Sequence, residues 1–249
     1  MKFRKCDTGE LKDIIWRHHT AKPEISNYYL NDLEHLEYFE AGDTLLLRKK
    51  AHDFFRIYYY ARDIGNLTSL LAQMPSNSVI NIPVKRENCE WEEDLAGCGF
   101  NLLSRYERWF NPETRIVQTF TGTFAEEKHG AGIKQLFEKN FNKVTDHVPE
   151  EFEIAEMIRS KQVLVNLDQE EVQGFFIFTL GKGKCYFNFW FDKGNRGMET
   201  LHNVYYLMHG KGIRHSWLWI DSKNERVKKI HKLLGSKSDG LFDFTFSKL

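Results

Sequence analysis

A chain of 249 residues with 35 basic and 35 acidic side chains, zero formal net charge and 41% apolar residues has room for one large domain or two modules of about 120 residues. Its charge balance leaves no electrostatic footprint for bulk nucleic acid or an anionic membrane. No apolar run approaches the roughly 18 residues of a membrane span, so the expected compartment is the cytoplasm, and the four cysteines (Cys6, Cys89, Cys98, Cys185) lack metal-site spacing and read as reduced, mostly buried thiols.

In chain order, Met1 to Cys6 suits a short strand, and Asp7 or Thr8 can cap a helix through His19 with Leu11, Ile14 and Ile15 on one face. A second helix is expected near Asn27 to Phe39. Asp43 to Lys49 and His52 to Ala61 read as strands, rich in β-favouring Phe, Ile and Tyr. Asn66 to Met74 reads as a helix ended by Pro75, Val79 to Val84 as a buried strand, Cys89 to Gly97 as a short helix and Phe100 to Phe110 as a strand. The second half repeats this order. Thr114 to Phe124 is expected as a connecting strand, followed by helices at Ala131 to Phe141 and Glu150 to Lys161 and strands at Val163 to Leu167, Val172 to Leu180 and Lys184 to Asp192. Met198 to His209 is a helix, Trp217 to Asp221 a strand, Glu225 to Leu234 a helix and Leu241 to Phe246 the closing strand. Alternating strands and helices give an α/β (α+β) chain, with a mixed twisted sheet carrying helices on both faces in each half.

The two halves share a register. Asn88 is followed eleven positions later by Gly99, and Asn224 eleven positions later by Gly235, with an apolar strand before each Asn and an aromatic strand after each Gly. Strand, Asn, short helix, Gly, strand is a unit built twice, which divides the chain into modules of residues 1–113 and 114–249.

This order of elements, with the spaced Asn and Gly, resembles the GNAT superfamily of N-acyltransferases over nearly the whole chain, once per half. The resemblance implies a loop of pattern Arg/Gln-x-x-Gly-x-Gly/Ala opening the third helix of each module, whose backbone N–H groups hold the diphosphate of coenzyme A. The physics is that of a helix N-terminus, with unpaired donors, a partial positive charge and small residues that let phosphate oxygens approach. In the second half the matching stretch is Gly194-Asn195-Arg196-Gly197-Met198-Glu199; in the first it is Arg62-Asp63-Ile64-Gly65-Asn66-Leu67. Each departs from the pattern, Glu199 standing where a small residue belongs and Leu67 likewise. The family's Asn near the pantetheine arm falls on Asn224, and the proton donor seven positions later falls on His231 in the second module and on Leu95 in the first. His231 is therefore the expected acid toward the leaving thiolate, with a solvated helix residue beside Lys228, Lys229 and Lys232 as the bland reading. The base expected to deprotonate the amine is Asp192 or Asp221, each at a strand end and each able to serve instead as a helix cap.

His18-His19 and His52-Asp53 share no third ligand at a convincing spacing, so no metal site is expected. No nucleophile elbow or nucleotide-phosphate loop is present. The reading is a tandem protein whose second module transfers an acyl group from acetyl-CoA or another acyl-CoA to a small-molecule or peptide amine, the first module being structural. The rivals are an aminoacyltransferase of tandem type that does not use coenzyme A, and a binding module without chemistry.

Overall fold

The computed structural model describes residues 1–23, 25–28 and 33–248. Its elements in chain order are α1 (Thr8–Thr20), β1 (Ile25–Ser26), β2 (Leu36–Ala41), β3 (Thr44–Ala51), β4 (Phe54–Ala61), α2 (Ile64–Leu71), β5 (Ser78–Val84), α3 (Glu92–Gly97) and β6 (Asn101–Asn111). They continue with β7 (Thr123–Phe124), a 3₁₀ turn (Glu127–His129), α4 (Gly130–Asn140), α5 (Glu151–Arg159), β8 (Val163–Asp168), β9 (Glu171–Leu180), β10 (Lys184–Asp192), α6 (Gly197–Gly210), β11 (His215–Asp221), α7 (Glu225–Leu233) and β12 (Lys237–Lys248).

The chain forms two compact units. The first runs from Met1 to Arg105 and takes back the chain from Leu241; the second is Tyr106 to Gly240. A cut at 113/114 therefore misses an exchange. The last strand, β12, pairs with β5 of the first unit, while β6, encoded in the first half, pairs with β11 of the second.

Each unit has the same strand plan. In the first, β2, β3 and β4 form an antiparallel meander, β5 joins β4 in parallel and β12 closes antiparallel to β5. In the second, β8, β9 and β10 form the meander, β11 joins β10 in parallel and β6 closes antiparallel to β11. A parallel pair needs a crossover rather than a tight turn, and α2 and α6 supply it.

Helices cover both faces of each sheet. In the first unit Leu67 and Leu71 of α2 and Leu95 of α3 pack on Leu46, Ile57, Ile80 and Phe246, while Leu11, Ile14 and Ile15 of α1 pack on Leu45, Leu47 and Tyr38 from the other side. Leu45, Leu46 and Leu47 are all fully buried, as expected of a strand sandwiched between helix layers. In the second unit Leu201, Val204 and Tyr205 of α6 lie over Phe176, Phe187 and Leu218, and Ile133, Phe137, Ile154 and Ile158 of α4 and α5 cover Phe175 and Ile177.

Three expected elements differ. The helix placed at Asn27 to Phe39 is absent where the chain is described: residues 29–32 lie outside the described residues, and Leu36–Ala41 is a strand whose Leu36 and Tyr38 alternate inward. The strand placed at Thr114 to Phe124 is reduced to Thr123–Phe124, because the preceding stretch spends its backbone donors elsewhere, Thr114 N–H on Arg214 O and Thr121 N–H on Asn203 Oδ1. Met1 to Cys6 makes only a single bridge, Arg4 with Tyr38.

The repeated register survives at its glycine end. Gly99 and Gly235 have φ of +84° and +90°, the left-handed conformation that suits glycine after a helix. Phe100 N–H donates to Leu95 O and Ser236 N–H to His231 O, so Leu95 and His231 hold equivalent places. The Asn end does not repeat. Asn224 caps α7 by accepting from Val227 N–H at 3.2 Å, whereas α3 begins after Trp91 with no side-chain cap and Asn88 stands outside it.

Candidate functional site

The parallel strands of both units part company partway along. In the first unit β4 and β5 are paired only from Phe55/Ser78 to Ile57/Ile80, although both strands continue. In the second, β10 and β11 are paired from Lys184/His215 to Phe187/Leu218 and then diverge, at the point where Asn188 bulges out of the β10–β9 ladder. A bulge bends and twists its strand, which turns Phe189 to Asp192 away from Trp219 to Asp221. Diverging parallel strands expose backbone N–H and C=O groups to any extended chain that enters between them.

The first unit fills its own gap. β1 pairs with the free end of β4 (Ile25 with Ala61, Ser26 with Tyr60), on the edge opposite β3. Asn27 then bridges the diverging strands: its Nδ2 donates to Ile57 O at 3.1 Å on β4 and to Asn81 O at 2.8 Å on β5, and its Oδ1 accepts from Tyr59 N–H at 2.8 Å. Beneath it runs a buried polar chain, Arg56 Nη1 donating to Asn81 Oδ1 at 2.7 Å and Asn81 Nδ2 donating to Asp243 Oδ2 at 2.8 Å. Burial pushes the Asp243 carboxyl up to about 6 and lowers the Arg56 guanidinium.

The second unit has no counterpart of β1 among the described residues. Among the described residues no strand pairs with β10 beyond Phe187 on the side of β11. The expected diphosphate loop does lie at the mouth of this gap: Gly194 and Asn195 are exposed in the turn after β10, Arg196 and Gly197 open α6, and Met198 is exposed in its first turn. Two of the backbone donors at the N-terminus of α6 are already occupied. Asp192 Oδ2 accepts from Arg196 N–H at 3.0 Å and from Gly197 N–H at 3.1 Å, and Oδ1 accepts from Asn166 Nδ2 at 2.9 Å. Thr200 Oγ1 donates to Asn166 Oδ1 at 2.9 Å, fixing that amide. Gly174 lies opposite Asp192 on β9, where a Cβ would fall 2.6 Å from Asp192 Oδ1. Gly197 serves packing, since its absent Cβ would stand 3.1 Å from the Trp190 ring. Arg196 is held by Glu199 at 3.0 Å, and Glu199 also accepts from Thr121 Oγ1.

Two site expectations change accordingly. Asp192 is a helix cap with both oxygens engaged rather than a base. The loop offers a diphosphate fewer donors than the resemblance implies, because the Arg196 and Gly197 N–H groups are spent on one carboxylate and a second, Glu199, neutralises the Arg196 guanidinium. The first unit does the same in its own loop, where Asp63 caps α2 through Asn66 N–H at 2.8 Å and also accepts from the Asn66 amide.

His231 is neither solvated nor readily protonated. It is 1% exposed, lies on the inner face of α7 with its ring 5.9 Å from Trp190 and 6.5 Å from Phe187, and burial pushes its pKa down to about 4. Its Nδ1 is buried without a hydrogen-bond partner among the described residues. The repeat register brings it beside the strands that diverge, as the sequence implies, but as a neutral imidazole, which corrects the expectation of an acid titrating near working pH.

Asp221 ends β11, where its Oδ1 accepts from Lys223 N–H at 2.8 Å in a turn that leads into α7. Its register partner on β6 is Tyr106, whose hydroxyl donates to Asp146 Oδ1. Burial, together with the Asp146 carboxylate, raises the Tyr106 hydroxyl. Leu218 and Ile220 point into the core under α6, so Trp217, Trp219 and Asp221 face the opposite side by strand alternation. Trp219 is 43% exposed there. Tyr106 and Asp146 were not legible as site residues, since one reads as a strand aromatic and the other as a loop acid. No cysteine is poised as a nucleophile: burial raises all four thiols, Cys185 to about 12. A broad surface cleft of the first unit, lined by Arg4, Asp13, Arg17, Tyr38 and Glu40, includes no residue of that unit's strand gap, and its Arg17 and Glu40 are paired with each other at 2.8 Å.

No family model and no curated protein matches the sequence. Solved structures do match the fold. A GNAT-family acetyltransferase from Colwellia psychrerythraea superposes with a TM-score of 0.58 at 12% identity, covering 99% of each chain. A GCN5-related N-acetyltransferase from Sphaerobacter thermophilus gives 0.58 at 12% identity over 87% of this chain and 81% of its own. A tandem GNAT protein from the clavulanic acid biosynthesis pathway gives 0.52 at 11% identity over 86% and 83%. The chain has the fold of the GNAT superfamily.

Proposed function

We propose that the second unit transfers an acyl group from a thioester to an amine. The observation that carries this reading is the contrast between the two strand gaps, one closed by β1 and Asn27 and the other left unpaired beside β10. An extended thioester arm with amide groups would pair with the β10 edge from Phe189 to Asp192. The acceptor would approach on the face of Trp219, Asp221 and Tyr106, where carboxylates at Asp221 and Asp146 attract an ammonium.

Asp221 takes a proton from the ammonium, the free amine attacks the thioester carbonyl, and the C–S bond of the tetrahedral adduct breaks. The second proton lost by the amine nitrogen goes to the departing thiolate through solvent. His231 supplies no proton as an imidazolium, since it is neutral at working pH; its place is to wall the gap beside Phe187 and Trp190. When bound, acyl-CoA or a related thioester supplies the activated acyl group. The reading as a module without chemistry fits the first unit, whose gap is filled.

The test is amine-dependent thiol release by the full chain from acetyl-pantetheine and acetyl-CoA, with glycine, a polyamine and a short peptide as acceptors. Release that rises with amine supports the reading. Release indifferent to every amine, with both thioesters, sinks it.

A further inference from the structure

The donor side of the second unit carries a contradiction that points to its ligand. The slot for a thioester arm is unpaired, yet two backbone donors at the N-terminus of α6 at its mouth are taken by Asp192, and Arg196 is neutralised by Glu199. The Asp192 cap is a built feature rather than a chance rotamer, since Asn166, Thr200 and the missing side chain at Gly174 all hold it in place. A nucleotide diphosphate placed there would sit against two carboxylates with the Arg196 and Gly197 N–H donors already spent.

Besides Lys193 of the loop, a group of positive charges lies on the outer face of α7. That helix starts just after β11 ends and turns His231 inward against Phe187 and Trp190, so it flanks the same gap. Arg226, Lys229 and Lys232 are exposed, and none of them is in an ion pair among the described residues, unlike Lys228, which is paired with Glu107 and Glu225. Arg226, Lys229 and Leu233 follow the i, i+3, i+7 spacing of one helical face, and Leu233 is 73% exposed. Cations around one exposed apolar side chain, with no internal partner, complement an acidic protein surface better than a small nucleotide.

Resting on the acyltransferase reading above, we infer that the donor thioester arrives on the phosphopantetheine arm of an acidic carrier protein that docks on the outer face of α7, rather than as free coenzyme A. The arm enters between β10 and β11, and the carrier contributes the affinity that the α6 loop does not.

Calorimetric titration of the full chain with pantetheine, coenzyme A, a phosphopantetheinylated acyl carrier protein and its apo form separates the possibilities. Coenzyme A is expected to bind within about threefold of pantetheine, and the loaded carrier about tenfold or more tighter than pantetheine, with affinity falling as salt rises. The double variant Lys229→Glu and Lys232→Glu is expected to lower carrier affinity about tenfold while leaving pantetheine unchanged. Coenzyme A binding more than about thirtyfold tighter than pantetheine would overturn the inference and leave the acyltransferase reading standing. So would a preference for aminoacyl-tRNA over the carrier. Binding of none of the pantetheine-bearing ligands would remove both the inference and the reading it rests on.

Discussion

The two units follow one plan and differ at the place where a thioester would enter. In the first, β1 and Asn27 occupy the divergence of β4 and β5, and a buried Arg56–Asn81–Asp243 chain runs below. In the second, the corresponding edge of β10 is unpaired and an imidazole stands where the first unit has Leu95. The helices that follow the parallel strands differ in charge as well: α3 opens with Glu92, Glu93 and Asp94, whereas α7 presents Arg226, Lys229 and Lys232 to solvent. A repeat of this kind keeps its strand order because the hydrophobic layers demand it. Its function changes through a few polar residues at the strand ends.

The contrast is most exposed to test at Asp221. If that carboxylate takes the proton of the attacking amine, Asp221→Asn lowers kcat for amine-dependent thiol release by about 10²- to 10⁴-fold, with thermal stability altered little because Asn can still accept from Lys223 N–H. Activity unchanged in this variant would move the base to another group. Next in size is Asn27→Ala in the first unit, which leaves Ile57 O, Asn81 O and Tyr59 N–H without their partner. Denaturant unfolding should show a loss of about 3 kcal/mol or more, since each orphaned buried group costs on the order of 1 kcal/mol or above. A neutral result would mean that β1 closes the gap without help from Asn27.

The pH dependence of stability should run in opposite directions in the two units. His231 has a folded pKa of about 4, below the unfolded value near 6.5, so the unfolded chain binds the extra proton in between. Stability is full above that unfolded value and falls on acidification toward pH 4, by about 3 kcal/mol in all at roughly 1.4 kcal/mol per unit. Asp243 is raised from 3.8 to about 6; its unfolded form ionises first, so its contribution is present at low pH and is lost as pH rises through that range. Replacing His231 by Leu should flatten the acid limb, and Asp243→Asn should flatten the other. Denaturation curves at a series of pH values decide both. The smallest effect is expected from Glu199→Ala, which frees Arg196 at an exposed position. Coenzyme A affinity should be equal or raised by less than about fivefold, a surface ion pair being worth about 1 kcal/mol or less, and a measured loss would show that Glu199 takes a further part.

The sheet plan was readable because its signals are hydrophobic and periodic. The strands from Thr44 to Val84 and from Val163 to Asp221 lie close to where β-branched and aromatic runs place them, and Gly99 and Gly235 mark both helix ends. What escaped was set by partners distant in sequence. The exchange of β6 and β12 has no local signature, and Leu36 to Ala41 carries acids spaced like those of a helix while its burial alternates as a strand. At the site, strand ends drew attention to Asp192 and Asp221, and the register to His231. Their roles depended on neighbours no spacing reveals: Gly174 and Asn166 make Asp192 a cap, and Phe187 and Trp190 make His231 a buried neutral ring.

The central claim is that the second unit, and not the first, receives the thioester arm. Amide hydrogen exchange of the full chain, with and without millimolar acetyl-pantetheine, tests it directly. The account predicts new protection at Phe189 to Asp192 and Trp219 to Asp221, with Tyr58 to Ala61 and Asn81 to Val84 unchanged. Protection in the first unit's strands, or in neither set while thiol release proceeds, would contradict it.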